Sequence, residues 1–307
     1  MPRYTLIDAA KLHAADLLNE IISEVAQLTP ELGVYPLNVI DKTTYTALVR
    51  TANPTVAFRS MNQGSALSKA TFIPKIFQAF SLDHQVALDR AMMDDLGEAG
   101  FGRLMAEHTA SALEAAFATT CKQIYYGNPE SDKGFPGLLE QYSADSSHEV
   151  DVTGTNNKFS VWMVNASLGN SALISGGGRQ ALFEQAPWKL KDLTDDDGNV
   201  YQGFASWLYG SVGFELKNKH AAVRAKNVSS SDSGKGVTDL VLNEMYTKFI
   251  RNGNRPNAIF MPPEGVELLR KSRTATNPTG EPAPRPTDWN GIPIYETSSI
   301  VIGASGE

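Results

Sequence analysis

The 307-residue chain has one cysteine, Cys121, so no intrachain disulfide framework can hold it together. It has no apolar run near the roughly 18 consecutive residues that a membrane-spanning helix needs. No apolar run follows the Met1-Pro2-Arg3-Tyr4 start either, so neither a membrane span nor a signal or transit peptide is expected. Basic residues are in deficit: 27 Lys and Arg stand against 34 Asp and Glu, for a formal net charge of -7. An excess of carboxylates repels phosphate. The chain as a whole is not built to grip nucleic acid, although it can face nucleic acid without adhering to it. Histidine is scarce, and the five, at positions 13, 84, 108, 148 and 220, show no metal-ligand spacing. No internal repeat of fixed period is present. What is there is 42% hydrophobic, enough for one large domain or two modest ones.

The periodicities divide the chain. Leu17, Ile21, Val25, Leu28 and Leu32 recur at steps of four or three, which predicts an amphipathic helix over 8–32. Asp8 is its expected N-cap and Gly33 its expected stop. Residues 42–88 are rich in β-formers on both sides of a polar tip, Ser60-Met61-Asn62-Gln63-Gly64-Ser65, which predicts a long hairpin. Pro54 and Pro74 each remove a ladder donor, so its arms are expected to be irregular or to lie at an edge. A two-stranded hairpin is marginal in water, so one this long needs another surface to support it.

Residues 95–126 predict a long helix. Phe101, Leu104, Met105, His108, Ala112, Ala115 and Thr119 share one face, and Leu113, Phe117, Cys121 and Ile124 supply another. A helix apolar on two sides is expected to lie between layers. Gly127-Asn128-Pro129 ends it. Residues 150–228 read as all-β, with Asp197-Gly198-Asn199 as a hairpin turn between 189–191 and 200–202. After the linker Ser229–Gly234 come a helix carrying Leu240, Met245 and Phe249, a strand at Ala258–Met261 and a short helix from Gly265 to Lys271. A Pro-rich loop and a last strand at Ile292–Tyr295 complete an α+β tail that is expected to form its own unit.

Reactive chemistry is hard to find. Ser233-Gly234-Lys235-Gly236 is similar to the end of a phosphate-binding loop. It lacks a glycine five residues before Gly234, and Gly236 stands where Ser or Thr would hold magnesium, so it reads as a linker. Gly176-Gly177-Gly178-Arg179 reads as a flexible loop rather than an anion cradle. Asp195-Asp196-Asp197-Gly198 lacks the alternating ligands of a calcium loop and reads as a solvated turn. His108 and Cys121 fall on helical stripes, which makes them packed side chains by default. No serine sits in a Gly-x-Ser-x-Gly elbow. No catalytic, cofactor-binding or metal-binding residue is assigned, and no cofactor is expected. An enzyme whose site is assembled from distant positions stays open as an alternative.

The order of elements resembles that of tailed-bacteriophage major capsid proteins. Tyr125-Tyr126-Gly127-Asn128-Pro129-Glu130 followed by Phe135-Pro136-Gly137-Leu138 is similar to the segment that ends the family's spine helix. Ser160–Asn165, Arg255–Met261 and Trp289-Asn290-Gly291-Ile292-Pro293-Ile294 are similar to three of its strands. The resemblance implies an α+β, Hong-Kong-ninety-seven-like capsid fold. Its parts would be an N-arm (1–41), an E-loop (42–88), a peripheral domain with a spine helix (89–232) and an axial domain (233–307). It departs from the commonest arrangement in that the Trp162 strand precedes the axial helix and strand. The implied function is the icosahedral head shell around a double-stranded DNA genome, and an encapsulin-like compartment shell is the alternative within the fold. The implied partners are further copies in hexameric and pentameric capsomers, scaffolding, portal and decoration proteins, and packaged DNA held without sequence preference. The implied location is the virion, after assembly in the host bacterial cytoplasm, with no membrane.

Overall fold

The computed structural model describes residues 27–303 apart from 143, 196 and 278–280. Most of the N-terminal helix expected over 8–32 therefore lies outside the described residues. Its described end is different from the expectation: residues 27–29 are not helical, and Pro30 opens a single turn, α1 (Glu31–Val34). Proline fixes the φ of a first helical turn and cannot sit inside a longer one, which separates this turn from what precedes it.

The chain continues through β1 (Leu37–Val39) into the hairpin β2 (Thr44–Ala52) and β3 (Thr71–Gln78). These two strands pair antiparallel with each other and, among the described residues, with no other strand. The tip is a turn at Met61 and Asn62, with Asn62 at φ 64°. Ala79 then passes the chain straight into β4 (Phe80–Asp89), which belongs to the body and not to the hairpin.

The spine helix α2 (Ala91–Tyr126) follows at once. It starts earlier than 95 and is broken at Gly97, whose φ of 70° and ψ of 163° only glycine adopts readily. The expectation that it is sandwiched needs correction. One line of its residues runs in steps of four through buried Leu104, half-buried His108 and buried Ala112, Ala116, Thr120 and Ile124, while Ala115 and Thr119 are exposed. A four-residue step outruns the 3.6-residue turn by about 40° each time, so the contact line winds around the helix. Buried residues crowd together only near its C-terminal end, where Thr120, Cys121, Ile124 and Tyr125 are buried while Lys122 stays exposed.

Two short turns, α3 (Pro129–Asp132) and α4 (Leu138–Gln141), lead to β5 (Glu149–Asp151), β6 (Lys158–Val164), β7 (Ser171–Ser175), β8 (Phe183–Gln185) and β9 (Lys189–Thr194). Then come the 17-residue β10 (Val200–Leu216) and β11 (Ala222–Ser229). The rest is α5 (Asp239–Arg251), β12 (Ala258–Met261), α6 (Pro263–Ala275), β13 (Asp288–Trp289) and β14 (Ile292–Glu296). The Thr238 hydroxyl caps α5 by accepting from Val241 N at 3.3 Å. Leu242, Met245 and Phe249 form its buried stripe, while Leu240 is 81% exposed. Five residues of helix turn Leu240 about 140° away from Met245, so it could not share that face.

Two six-stranded sheets result. In one, β10 is the long axis: β4, β7, β8 and β9 all pair with it, and β1 pairs with β7. The helix α2 lies across this sheet, with Phe101 and Phe204 ring centroids 5.4 Å apart and Ala112 and Ala116 packed on Leu208. The other sheet runs β13-β14-β12-β6-β11-β5. It draws strands from both sides of residues 232 and 233, so the C-terminal tail shares its sheet with the preceding segment rather than closing on itself. Between this sheet and the end of α2 sits an aromatic core. Tyr35 stacks on Phe260 at 5.7 Å, and Trp162 meets Tyr142 edge-on at 5.2 Å. The motif after the helix folds back onto this core, with Phe135 and Leu138 buried and Gln123 Nε2 donating to Phe135 O at 3.0 Å.

Candidate assembly surface

The hairpin alternates two faces. Tyr45, Ala47 and Phe77 turn towards the body, where Phe77 is buried with Ile40, Ala79 and Ile174. The opposite face carries Leu48, Phe72 and Ile76, all exposed, with Pro74 paired across from Leu48. Beyond the paired strands, Val56, Phe58, Met61 and Leu67 are each at least 89% exposed. With Ile73, eight large apolar side chains stand exposed on one projection, a concentration that monomeric soluble proteins seldom leave bare. Covering them offers on the order of 10 kcal/mol, the scale of the freedom lost on association.

What fixes this projection is polar. Glu215, near the end of β10, is fully buried. Its carboxylate accepts from Asn38 Nδ2 at 3.1 Å, from the Tyr45 hydroxyl, and from Lys217 Nζ at 2.8 Å. Burial and the neighbouring carboxylate push the Tyr45 phenol well above its ordinary range, so it stays a donor. Lys75, on the partner strand, donates to Leu216 O at 2.7 Å, and burial lowers its ammonium. Gly213 lets the strands touch: a Cβ there would lie 2.5 Å from Gln78 O.

The residues singled out in the sequence for chemistry fall elsewhere and apart from each other. Cys121 is buried, and burial raises its thiol far above the usual value. His108 lies half-buried on α2, lowered by burial and by His84. Gly176–Arg179 is a turn, with Arg179 over the Tyr209 ring at 4.3 Å. Asp195 Oδ1 accepts from Asn199 N at 2.7 Å and closes the predicted β9–β10 turn. Asp232, in the predicted linker, accepts from the Asn156 side chain and from the Thr155 and Asn156 amides, which hold it below the usual carboxylate range.

Two polar clusters escaped sequence reading. Asp145 Oδ1 lies 2.7 Å from His148 Nδ1, and His148 Nε2 lies 2.7 Å from Nδ1 of His220, a residue 72 positions away. Ser147 Oγ also sits on His148 Nδ1, at 2.9 Å, so serine and aspartate crowd one ring nitrogen. A nucleophile–base–orienter chain needs them on opposite nitrogens. Glu31 is fully buried and accepts from Tyr125 at 2.9 Å and from Thr297. Nothing local in the sequence signals either cluster. No group of three or more His, Cys, Asp or Glu able to hold a metal occurs among the described residues.

Residues 19–302 match the profile of a family described as Major capsid protein GP7. A search of curated proteins finds no match. Among solved structures, a chain of bacteriophage Epsilon15 aligns with a TM-score of 0.73 at 14% identity, over 98% of this chain and 96% of that one. A chain of the bacteriophage JBD30 capsid aligns with a TM-score of 0.53 at 14% identity, over 96% and 97%. At these identities the likeness is one of fold, and the α+β architecture implied by the resemblance is the one observed.

Proposed function

The chain belongs to the major capsid protein GP7 family and is a shell-forming capsid protein of the virion; from that membership we propose that its copies close into the icosahedral head of a tailed bacteriophage around double-stranded DNA. The observation that supports this reading most directly is the hairpin. It projects from the body, presents apolar side chains to water and pairs with no other strand among the described residues. A surface that is unstable alone and rigidly mounted is what a subunit needs if its neighbours are to bury it.

The parts take roles in this reading. The hairpin is the E-loop. The β10 sheet with α2 is the peripheral domain, and the sheet containing β6 and β12 with α5 and α6 is the axial domain. Residues 1–41 are the N-arm, whose described part is held at Glu31. Hexameric and pentameric capsomers form in the host cytoplasm, with scaffolding, portal and decoration proteins as partners and DNA held without sequence preference. An enzymatic role has no assembled site in its favour among the described residues.

The test is to replace Ser60–Ser65 with a short turn. These tip residues are exposed and add nothing to the subunit's own core. The variant should keep its circular dichroism and melting point yet fail to form closed particles under electron microscopy. Normal particles would remove the support the hairpin gives to the reading.

A further inference from the structure

One end of the sheet that contains β6 is closed by four loops. Val164, the last residue of β6, pairs with Ala222 at the start of β11 and with Ala258 at the start of β12. Glu149, at the start of β5, pairs with Arg224 on β11. Residues 144–148, 165–170, 217–221 and 251–257 therefore gather at this end.

Neutral side chains latch the loops together. Asn254 Nδ2 donates to Asn170 Oδ1 at 2.9 Å, and Asn165 Nδ2 donates to Asn254 Oδ1 at 2.8 Å. Asn218 Nδ2 reaches the same Asn170 Oδ1 at 3.1 Å, and Asn252 Nδ2 donates to Ser147 O at 3.0 Å. Each loop is thus tied to another through an asparagine. Ion pairs could tie the same loops, but each would cancel a positive charge. An amide donates and accepts without carrying charge, so the latch leaves the cations beside it uncompensated.

The charge at this end is one-sided. The four loops carry Lys217, Lys219, Arg251 and Arg255 against a single carboxylate, Asp145. Asp145 is turned into its own loop, where its Oδ1 accepts from Ser147 N at 2.9 Å and lies 2.7 Å from His148 Nδ1. Lys217 is committed to the buried Glu215 at 2.8 Å. Lys219, Arg251 and Arg255 are exposed, and none of them enters an ion pair among the described residues. The carbonyls that end α5 would repel an anion, but amides close them: Asn252 N on Lys248 O, Gly253 N on Ile250 O and Asn254 N on Phe249 O. A chain of net charge -7 therefore presents three uncommitted cations on a rigid mount.

The composition of the loops selects the kind of anion. They hold no Phe, Tyr or Trp, the residues that with arginine anchor protein partners. A phosphate backbone asks only for cations in a fixed frame and is bound without reading sequence. We propose that this end of the subunit binds the phosphate backbone of nucleic acid, with Lys219, Arg251 and Arg255 as the contacts and the asparagine latch as their frame. The inference rests on the reading that the shell encloses DNA, and names the surface that touches it. Three contacts hold a duplex weakly and let it go as salt rises, so the DNA is touched without being pinned.

The experiment measures binding of the unassembled subunit to a labelled duplex of about 30 base pairs by fluorescence anisotropy. With about 0.9 counterion released per contact, three contacts give a slope of roughly -2.7 for log affinity against log salt, or about a 40-fold loss between about 50 and 200 mM. Lys219→Gln, Arg251→Gln and Arg255→Gln should each reduce that steepness by about one. The triple variant should lose binding at about 50 mM salt and keep its melting point within about a degree or two, since exposed, uncommitted side chains are replaced. Lys189→Gln, exposed on the other sheet, should bind as the unaltered chain does. An unaltered subunit that does not bind the duplex at about 50 mM salt overturns the proposal, as does a triple variant that binds it normally. Tighter binding of polyglutamate of equal charge would assign the surface to an acidic protein, and a triple variant that binds DNA but no longer assembles would assign it to a second copy of this chain. Either result also overturns the proposal. An unaltered chain that binds DNA as expected yet forms no shell leaves this surface standing and removes the shell-forming reading instead.

Discussion

Tyr45 on the hairpin gives its hydroxyl hydrogen to the carboxylate of Glu215 on the body, and Glu215 has no exposure to water. A hydrogen bond to a buried charge contributes about 1.5–3 kcal/mol, roughly twice a neutral one. It ties together two pieces that share few other polar contacts.

Tyr45→Phe keeps the ring stacked on Phe77, now at 5.5 Å, and removes only the donor. Glu215 retains Asn38 and Lys217. The subunit should therefore stay folded, with its urea midpoint lowered by the equivalent of about 1–2 kcal/mol. Amide exchange in 44–52 and 71–78 should rise severalfold while exchange in β6 and β12 stays as it was. Unchanged exchange in the hairpin would show that Glu215 does not hold it.

Glu31 predicts a pH dependence. Burial raises its carboxyl above the ordinary 4.5, against the hydrogen bonds from Thr297 and Tyr125 that act the other way. The folded chain thus binds this proton more tightly than the unfolded chain does. Stability must fall as pH rises from about 4.5 through the raised folded value, and then level off. Glu31→Gln, which stays neutral, lacks that decline. The stability difference between Glu31→Gln and the unaltered chain should move in favour of Gln across that window, read from urea midpoints of the unassembled subunit. Parallel curves at every pH would mean Glu31 titrates normally.

Two adjacent alanines separate folding from assembly. Ala116 is 4% exposed against Leu208, so Ala116→Leu should overpack the site at a cost of about 1–3 kcal/mol and reduce the yield of subunit. Ala115 is exposed, so Ala115→Leu should leave the melting point within about a degree or two of the unaltered value. If both variants melt alike, the winding contact line on α2 is misplaced.

The elements that depend on neighbours in sequence were readable; those that depend on distant partners were not. The hairpin announced itself through β-formers around Asn62 and Gly64, and the β9–β10 turn through Asp197-Gly198-Asn199. The α+β capsid fold was reachable because its motifs recur in a fixed order. The shared sheet was not readable, because β6 finds β12 across some ninety intervening residues and no periodicity records which strands pair. The contact line on α2 departs from a straight helical stripe, since it passes through Ala112 and Ala116 and leaves Ala115 and Thr119 exposed. Glu31 looked like a polar residue on a helix. Only its burial beside Thr297, 266 positions away, makes it an anchor.

The central place of β6 also sets an order of events during synthesis. Phe159 to Val164 carries no charge, and every one of its residues is buried in the finished subunit. Its two partners, β11 and β12, lie far towards the C-terminus. At translation rates of about 5–20 residues per second, roughly 5–20 s pass between the emergence of β6 and that of β12. Until β11 emerges, this stretch of five apolar residues and one serine has neither edge covered, and until β12 emerges one edge stays open, which is the composition that seeds intermolecular β pairing. Making this subunit in good yield therefore requires that β6 stay shielded until the strands nearer the C-terminus arrive.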